Sequence, residues 1–262
     1  MPMLTINGTL HGYDEAGNGE PLLLVHAGIA DRRMWDDVWP TLTARHRVIR
    51  FDLRGYGETP LPDGRFTYAA DAEALLAARG VERAHVVGIS MGGGVALDLA
   101  LAHPERVERL VLVAPVLPGW EWGAAMNAFD AAETAALERG DVAEASWVNV
   151  RFWVDGPRPP DVVDPALRRR VFEMQRRAFE ADNPNAEAGW LIPNRRDRLG
   201  EVRAPTLIIV GELDQPDVAE MGNLMADAIP DARLVSMAGV AHLPPMEAPE
   251  DFARMVLRFL AG

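Results

Sequence analysis

The sequence predicts an α/β fold: a mostly parallel sheet flanked by helices, with a helical segment inserted late in the chain. The continuously apolar run Leu22–Val25 has the pattern of a strand buried on both faces, and Val48–Phe51, Val107–Val113 and Thr206–Val210 read as further short strands of the same sheet. Helix-prone stretches separate the early runs, the alternation that right-handed crossovers between parallel strands produce. Between residues 117 and 200 the apolar runs stop and Pro/Gly-linked helical pieces replace them. Residues 1–116 and 201–262 therefore read as the core, and 117–200 as a helical cap over the C-terminal edge of the sheet, where open α/β sheets bind ligands.

In chain order, Met3–Ile6 and Thr9–Tyr13 flank Asn7-Gly8, a hairpin-turn dipeptide. Leu22–Val25 ends at His26-Ala27-Gly28-Ile29, where His26 reads as a buried, hydrogen-bonded turn histidine. Met34–Leu42 is expected to be the first crossover helix and Val48–Phe51 the next strand. Asp52–Thr59 is a charged, glycine-broken turn in which Arg54 is expected to tie loops together through a carboxylate. Tyr68–Arg79 is alanine-rich and stops at Gly80. Ala84–Val87 leads through a turn into a helix from about Met91 to Ala102, which His103-Pro104 breaks before the strand Val107–Val113.

The cap contains helices at Ala128–Arg139 and Pro165–Glu180 and five of the seven tryptophans: Trp120, Trp122, Trp147, Trp153 and Trp190. Thr206–Val210 returns to strand, Val218–Ala228 is helical, Arg233–Met237 is the last strand, and Pro249–Leu260 closes the chain as an amphipathic helix.

Composition narrows the chemistry. With 262 residues, 48% of them apolar, the chain can bury a full core and is long for one simple domain. A formal net charge of −13 argues against nucleic acid and anionic membrane surfaces as partners. The absence of cysteine excludes thiol nucleophiles, thiolate metal sites and disulfides. All 26 basic residues are arginine, which removes Schiff-base chemistry, Ser-Lys dyads and lysine-dependent phosphate loops. The start, Met1–Thr5, lacks a basic n-region and a long apolar h-region, and no run approaches the ~20 apolar residues of a membrane span. A soluble, cytoplasmic protein is expected, with its oligomeric state unreadable.

Gly88-Ile89-Ser90-Met91-Gly92 sits between a strand and a helix. In that context Gly-x-Ser-x-Gly is a turn so sharp that its serine takes a strained backbone and exposes its hydroxyl. A side chain at 88 or 92 would crowd the neighbouring helix or strand. The new helix N-terminus also directs unpaired N–H groups toward the space an oxyanion would occupy. The chain has only three serines, Ser90, Ser146 and Ser236, and Ser90 is the candidate nucleophile.

A serine hydroxyl needs an imidazole to take its proton and a carboxylate to fix that imidazole. Ser90, Asp214 and His242 supply the order nucleophile, acid, histidine, each shortly after an expected strand, so all three should emerge at one edge of the sheet. Glu212 and Asp217 compete with Asp214; Asp217 reads as the cap of the following helix and Glu212 lies too close to the strand end. A backbone N–H after the early strand at Leu22–Val25 would complete an oxyanion hole with that of Met91.

With these pieces assembled, the chain resembles the α/β-hydrolase superfamily over nearly its whole length. The resemblance rests on His26-Ala27-Gly28, Asp52-x-Arg54-Gly55-x-Gly57, Gly88-x-Ser90-Met91-Gly92-Gly93, Gly211-x-x-Asp214, and His242-Leu243-Pro244 followed by Glu247-Ala248-Pro249. Within the superfamily it is similar to bacterial 3-oxoadipate enol-lactonases, meta-cleavage-product hydrolases, carboxylesterases and cofactor-free haloperoxidases or perhydrolases. The resemblance implies an eight-stranded sheet, a Ser90–His242–Asp214 triad and oxyanion N–H groups from Gly28 and Met91. Many relatives carry glycine at position 27 and a bulky residue at 28, the reverse of this chain.

The expected activity is hydrolysis of a carboxylic ester or lactone through an acyl-enzyme, with a neutral or apolar small-molecule substrate and no metal or organic cofactor. Ile29, Trp120, Trp122, Trp147, Trp153, Trp190 and Leu243 are candidates to line the pocket. The same triad also serves C–C bond hydrolysis, for which Arg151 or Arg195 would hold a dienoate, and perhydrolysis. A non-catalytic ligand-binding protein on the same fold is the alternative from another class.

Overall fold

The computed structural model describes residues 2–262. β1 (Met3–Ile6) and β2 (Thr9–Ala16) form the expected hairpin, with Asn7 at φ 47° and Gly8 at φ 77° in its turn. β3 (Pro21–Val25), β4 (Arg47–Phe51), β5 (Gly64–Thr67), β6 (Ala84–Ile89), β7 (Val107–Val113), β8 (Ala186–Gly189), β9 (Thr206–Gly211) and β10 (Ala232–Met237) follow. Eight of these make one sheet in the order β1-β2-β4-β3-β6-β7-β9-β10. The first two pairings are antiparallel and every later one is parallel. The apolar runs fill its centre: Leu22, Leu23, Leu24, Val86, Val87, Leu110 and Leu112 are fully buried.

The helices are α1 (Trp39–Thr43), α2 (Tyr68–Ala78), α3 (Met91–Ala102), α4 (Ala124–Glu138), α5 (Val142–Asn149), α6 (Pro165–Glu180), α7 (Pro216–Ala228), α8 (Pro244–Glu247) and α9 (Pro249–Leu260). α2 starts at Thr67, whose hydroxyl accepts the Ala70 N–H, and ends before Gly80 at φ 65°. Among the described residues no helix is long and apolar enough to cross a membrane.

Three expectations need correction. The single crossover helix over 34–42 is instead a 3-10 turn, Arg32–Trp35, followed by α1. Pro40 is the reason: lacking an N–H and clashing one turn back, it is excluded from a helix interior but suits the first turn of α1. Second, the segment after β7 is not purely helical. Its β8 pairs in parallel with β5 from the early part of the chain, as a separate two-stranded sheet. Both strands are short, partly exposed and glycine-containing, so neither carries an apolar alternation. Third, Asp217 does not cap α7. That helix begins at Pro216, and the Asp217 carboxylate instead accepts the Trp120 indole N–H and the Gly123 N–H, both at 3.1 Å.

Candidate active site

Parallel strands β6, β9 and β10 end on the same edge of the sheet, and the three triad candidates follow those ends. Ser90 comes directly after Ile89, the last residue of β6, and is the residue before α3. Its backbone sits at φ 53°, ψ −116°, a conformation that costs an L-residue of order 1–3 kcal/mol and persists only where surroundings enforce it. The enforcement is visible on both sides. A Cβ on Gly88 would lie 2.2 Å from the Gly92 carbonyl oxygen of α3, and one on Gly92 would lie 2.4 Å from the carbonyls of Val25 and His26. The Ser90 N–H donates to the Val113 carbonyl at 2.8 Å, which ties the turn to the end of β7.

On the neighbouring loops, the His242 Nδ1–H donates to Asp214, 2.8 Å from Oδ2 and 3.0 Å from Oδ1. With both side chains 1% exposed, the carboxylate fixes one imidazole tautomer and leaves Nε2 as the free base. The rival acid Glu212 is engaged elsewhere, accepting the Gly239 N–H at 3.0 Å. The Trp153 ring lies against the imidazole, centroids 4.2 Å apart, and its carbonyl accepts the His242 N–H at 3.3 Å.

One residue that the sequence analysis quotes without assigning it a task holds the histidine loop from below. Glu247, in α8, accepts the N–H groups on both sides of His242: Ala241 at 3.0 Å on Oε2 and Leu243 at 2.9 Å on Oε1. Arg158 donates to the same carboxylate at 2.7 Å while also reaching the carbonyls of Val154, Asp155 and Gly239. A glutamate five residues past a candidate histidine, just ahead of the last helix, was the available signal; its partner Arg158 lies far away in sequence and left none.

The two oxyanion candidates are adjacent. A Cβ built on Gly28 would stand 3.5 Å from the Met91 Cβ and Sδ and 3.7 Å from the Tyr56 hydroxyl. His26 stays beneath them as a structural residue. Its Nδ1–H donates to the Ala27 carbonyl at 2.8 Å and its Nε2 accepts the Leu53 N–H at 3.0 Å. Burial pushes its pKa below the ordinary histidine value. Burial likewise drives the Tyr56 phenol far above its usual range, so it stays protonated, 3.8 Å from the Met91 sulfur. Arg54 grips Asp71 through two hydrogen bonds of 2.7 and 2.8 Å and so anchors the turn after β4 to α2.

The remaining pocket candidates have separate surroundings. Trp153 stands with its ring against a triad candidate, His242. Trp147 stacks on Phe172, Trp120 is held by Asp217, Trp190 lies under Arg195 at 3.9 Å, and Trp122 is half-buried against the core. Ile29 is buried, and Leu243 is fully so. Arg151 points to Glu144 at the surface, and Arg195 is buried against Asp98. A cleft of about 590 Å³ opens instead between Tyr56 and Tyr68 on one side and Gln175, Phe179 and Ala186 on the other. The Gln175 Oε1 at its wall is buried without a partner.

Sheet, turn and histidine loop together define a hydrolase of the α/β class. The chain belongs to the alpha/beta hydrolase family, whose model matches residues 22–255. A protein named as a carbamate hydrolase from Azorhizobium caulinodans is 30% identical over 258 residues, covering 94% of this chain and 93% of its own. The 2-hydroxy-6-oxo-6-phenylhexa-2,4-dienoate hydrolase of Comamonas testosteroni is 29% identical over 270 residues, covering 95% of this chain and 90% of that one. Among solved structures, a thermophilic esterase from Thermogutta terrifontis superposes with a TM-score of 0.81 at 25% identity, covering all of this chain and 98% of its own.

Proposed function

We propose that the protein is a serine hydrolase that cleaves a carboxylic ester or lactone through an acyl-enzyme. Ser90 attacks the carbonyl carbon as His242 Nε2 takes its proton. The backbone N–H groups of Gly28 and Met91 receive the oxyanion, and Asp214 stabilises the imidazolium. His242 then gives the proton to the leaving alkoxide; in the second half it takes one from the water that attacks the acyl carbon and returns it to the Ser90 oxygen as the acyl bond breaks and the acid leaves. The observation that carries this reading is the enforced positive φ of Ser90 at a glycine-flanked strand-to-helix turn, the backbone that exposes a nucleophilic hydroxyl.

Residues 117–200 serve in this reading as a cap. Support comes from Trp153 and Arg158, which reach the His242 loop from that segment. The cleft beside Tyr56 suits the acyl or lactone group. Its lining combines phenols, amides and apolar side chains with Arg54, which Asp71 already pairs, and the exposed Asp182; nearby Glu133 has its carboxyl pushed toward the neutral form by burial, and together these favour a neutral substrate. A second reading, C–C bond hydrolysis by the same residues, is favoured by the dienoate hydrolase relative. Against it, Arg151 and Arg195 are already paired with acids.

The test is turnover of p-nitrophenyl esters from acetate to octanoate, a set of five- and six-membered lactones, and a vinylogous 1,5-diketone, each with wild type and Ser90→Ala. Ester or lactone turnover lost in the variant supports the reading. Turnover of the diketone alone replaces it with C–C hydrolysis, and ester turnover surviving in Ser90→Ala removes the nucleophile.

A further inference from the structure

At the opposite edge of the sheet, the N-terminal ends of three adjacent parallel strands carry Glu20, His46 and His85. Glu20 precedes β3, His46 precedes β4, and His85 is the second residue of β6. The β3–β4 and β3–β6 registers, Pro21↔Arg47 and Leu22↔His85, bring them together. One ligating atom from each lies within 4.8 Å of the other two. The two imidazoles are buried while the Glu20 side chain is 74% exposed and free to turn.

The atomic detail matches what a metal needs. The His85 Nε2 stands 3.2 Å from Glu20 Oε2. Two donors bonded at about 2.1 Å to one tetrahedral ion are roughly 3.4 Å apart, so this pair is already near its bound separation. The His46 and His85 ring centroids are 5.6 Å apart. Two imidazoles on one such ion would have centroids about 5 Å apart. His46 Nδ1 faces the Glu20 carbonyl at 3.3 Å and must donate to it, which leaves Nε2 with the lone pair. A backbone carbonyl behind a histidine is the support that metal-ligating imidazoles commonly have. The second nitrogen of His85, Nδ1, is buried without a partner, and among the described residues Glu20 is the only side chain hydrogen-bonded to this ring.

We propose that Glu20, His46 and His85 bind one divalent transition-metal ion of borderline softness, Zn2+ being the representative, with water completing the coordination at the exposed side. Two imidazoles and a carboxylate without thiolate suit Zn2+ over Ca2+ or Mg2+, which take oxygen donors. The ion ties the starts of β4, β3 and β6 to one another. It lies across the sheet from Ser90 and takes no part in the reaction. Binding moves the His85 proton from Nε2 to Nδ1 of the neutral ring and replaces the hydrogen bond between His85 and Glu20 with two bonds to the ion.

The test is calorimetric titration of the full chain with ZnCl2 at pH 7.5, beside Glu20→Gln, His46→Gln and His85→Gln, with thermal melts in parallel. As a control for binding at the Asp214–His242 pair, the titration is repeated on His242→Ala. The expected result is one Zn2+ per chain, retained in His242→Ala. Affinity falls at least tenfold in Glu20→Gln, whose exposed side chain leaves folding untouched, and is lost in either histidine variant. Wild-type Tm rises by roughly 5 °C at a hundredfold excess over Kd, reversed by EDTA. No binding up to 100-fold excess, or binding lost in His242→Ala and intact in Glu20→Gln and His46→Gln, would overturn the proposal.

Discussion

Replacing Glu247 by glutamine probes how the candidate general base is held. The carboxylate accepts two backbone N–H groups that flank His242 and the Arg158 guanidinium, and its side chain is 3% exposed. Glutamine fills the same space but turns one acceptor into a donor. Only one of the Ala241 and Leu243 N–H groups then keeps a partner, and the other faces an NH2 group. Losing a hydrogen bond to a charged acceptor costs about 1.5–3 kcal/mol, and stripping a buried charge of its partner costs about 3–5. Arg158 is 20% exposed and keeps three carbonyl partners, which places the total near the low end, about 3 kcal/mol.

At about 2 °C per kcal/mol for a chain of this size, Tm falls by about 6 °C. The freed loop lets the imidazole drift, and displacements approaching 1 Å at a catalytic group lower rates by up to about 100-fold. Steady-state kinetics on a p-nitrophenyl ester should show kcat reduced about 10- to 100-fold with KM within about twofold. Arg158→Met keeps both N–H acceptors and should lower Tm while leaving kcat within about threefold. A folded Glu247→Gln enzyme with wild-type kcat would refute the reasoning and leave Asp214 and Trp153 as the supports of His242.

Asp214→Asn preserves shape while losing the charge that stabilises the imidazolium, so kcat should drop about 10⁴-fold with Tm little changed, measured by the same assay and a melt. Gly92→Ala drives a Cβ to 2.4 Å from two backbone carbonyls and should not yield folded protein, judged by far-UV circular dichroism. Gly28→Ala meets only contacts of 3.5 Å and beyond and should fold with Tm within about 1 °C of wild type. Stability should also decline on acidification below about pH 6.5. His11 and His26 are buried neutral with lowered pKa, so there the unfolded chain binds more protons than the native one, and stability rises with pH through that window. Urea midpoints between pH 5 and 7.5 check this, and a flat profile would contradict it.

The sheet was legible because its central strands are mostly apolar runs, even where β4 and β7 include Arg50, Glu108 and Arg109, and the turn at Ser90 because glycine is demanded on both sides of it. The choice of Asp214 over Glu212 and Asp217 came from spacing, and Asp214 is the acid that stands against His242. The role of Asp217 was misread because a cap assignment looks only at neighbouring residues, whereas its partners Trp120 and Gly123 come from a distant segment. β5 and β8 were invisible for a related reason: two partly exposed four-residue strands have meaning only as a pair. The tryptophans advertised an apolar pocket, yet most stack on arginine, phenylalanine or core side chains, and sequence gives no direction for a ring. Arg158 escaped notice because a long-range ion pair has no local pattern.

The most direct test of the central claim is covalent. The protein is treated with a fluorophosphonate, residual esterase activity is followed, and the adduct is located by peptide mass spectrometry. One adduct per chain on Ser90, formed in step with loss of activity and reduced sharply in Asp214→Asn, is the predicted result. With only Ser146 and Ser236 as other serines, the outcome is unambiguous. Labelling at either of those, or inactivation with Ser90 unmodified, would contradict the account.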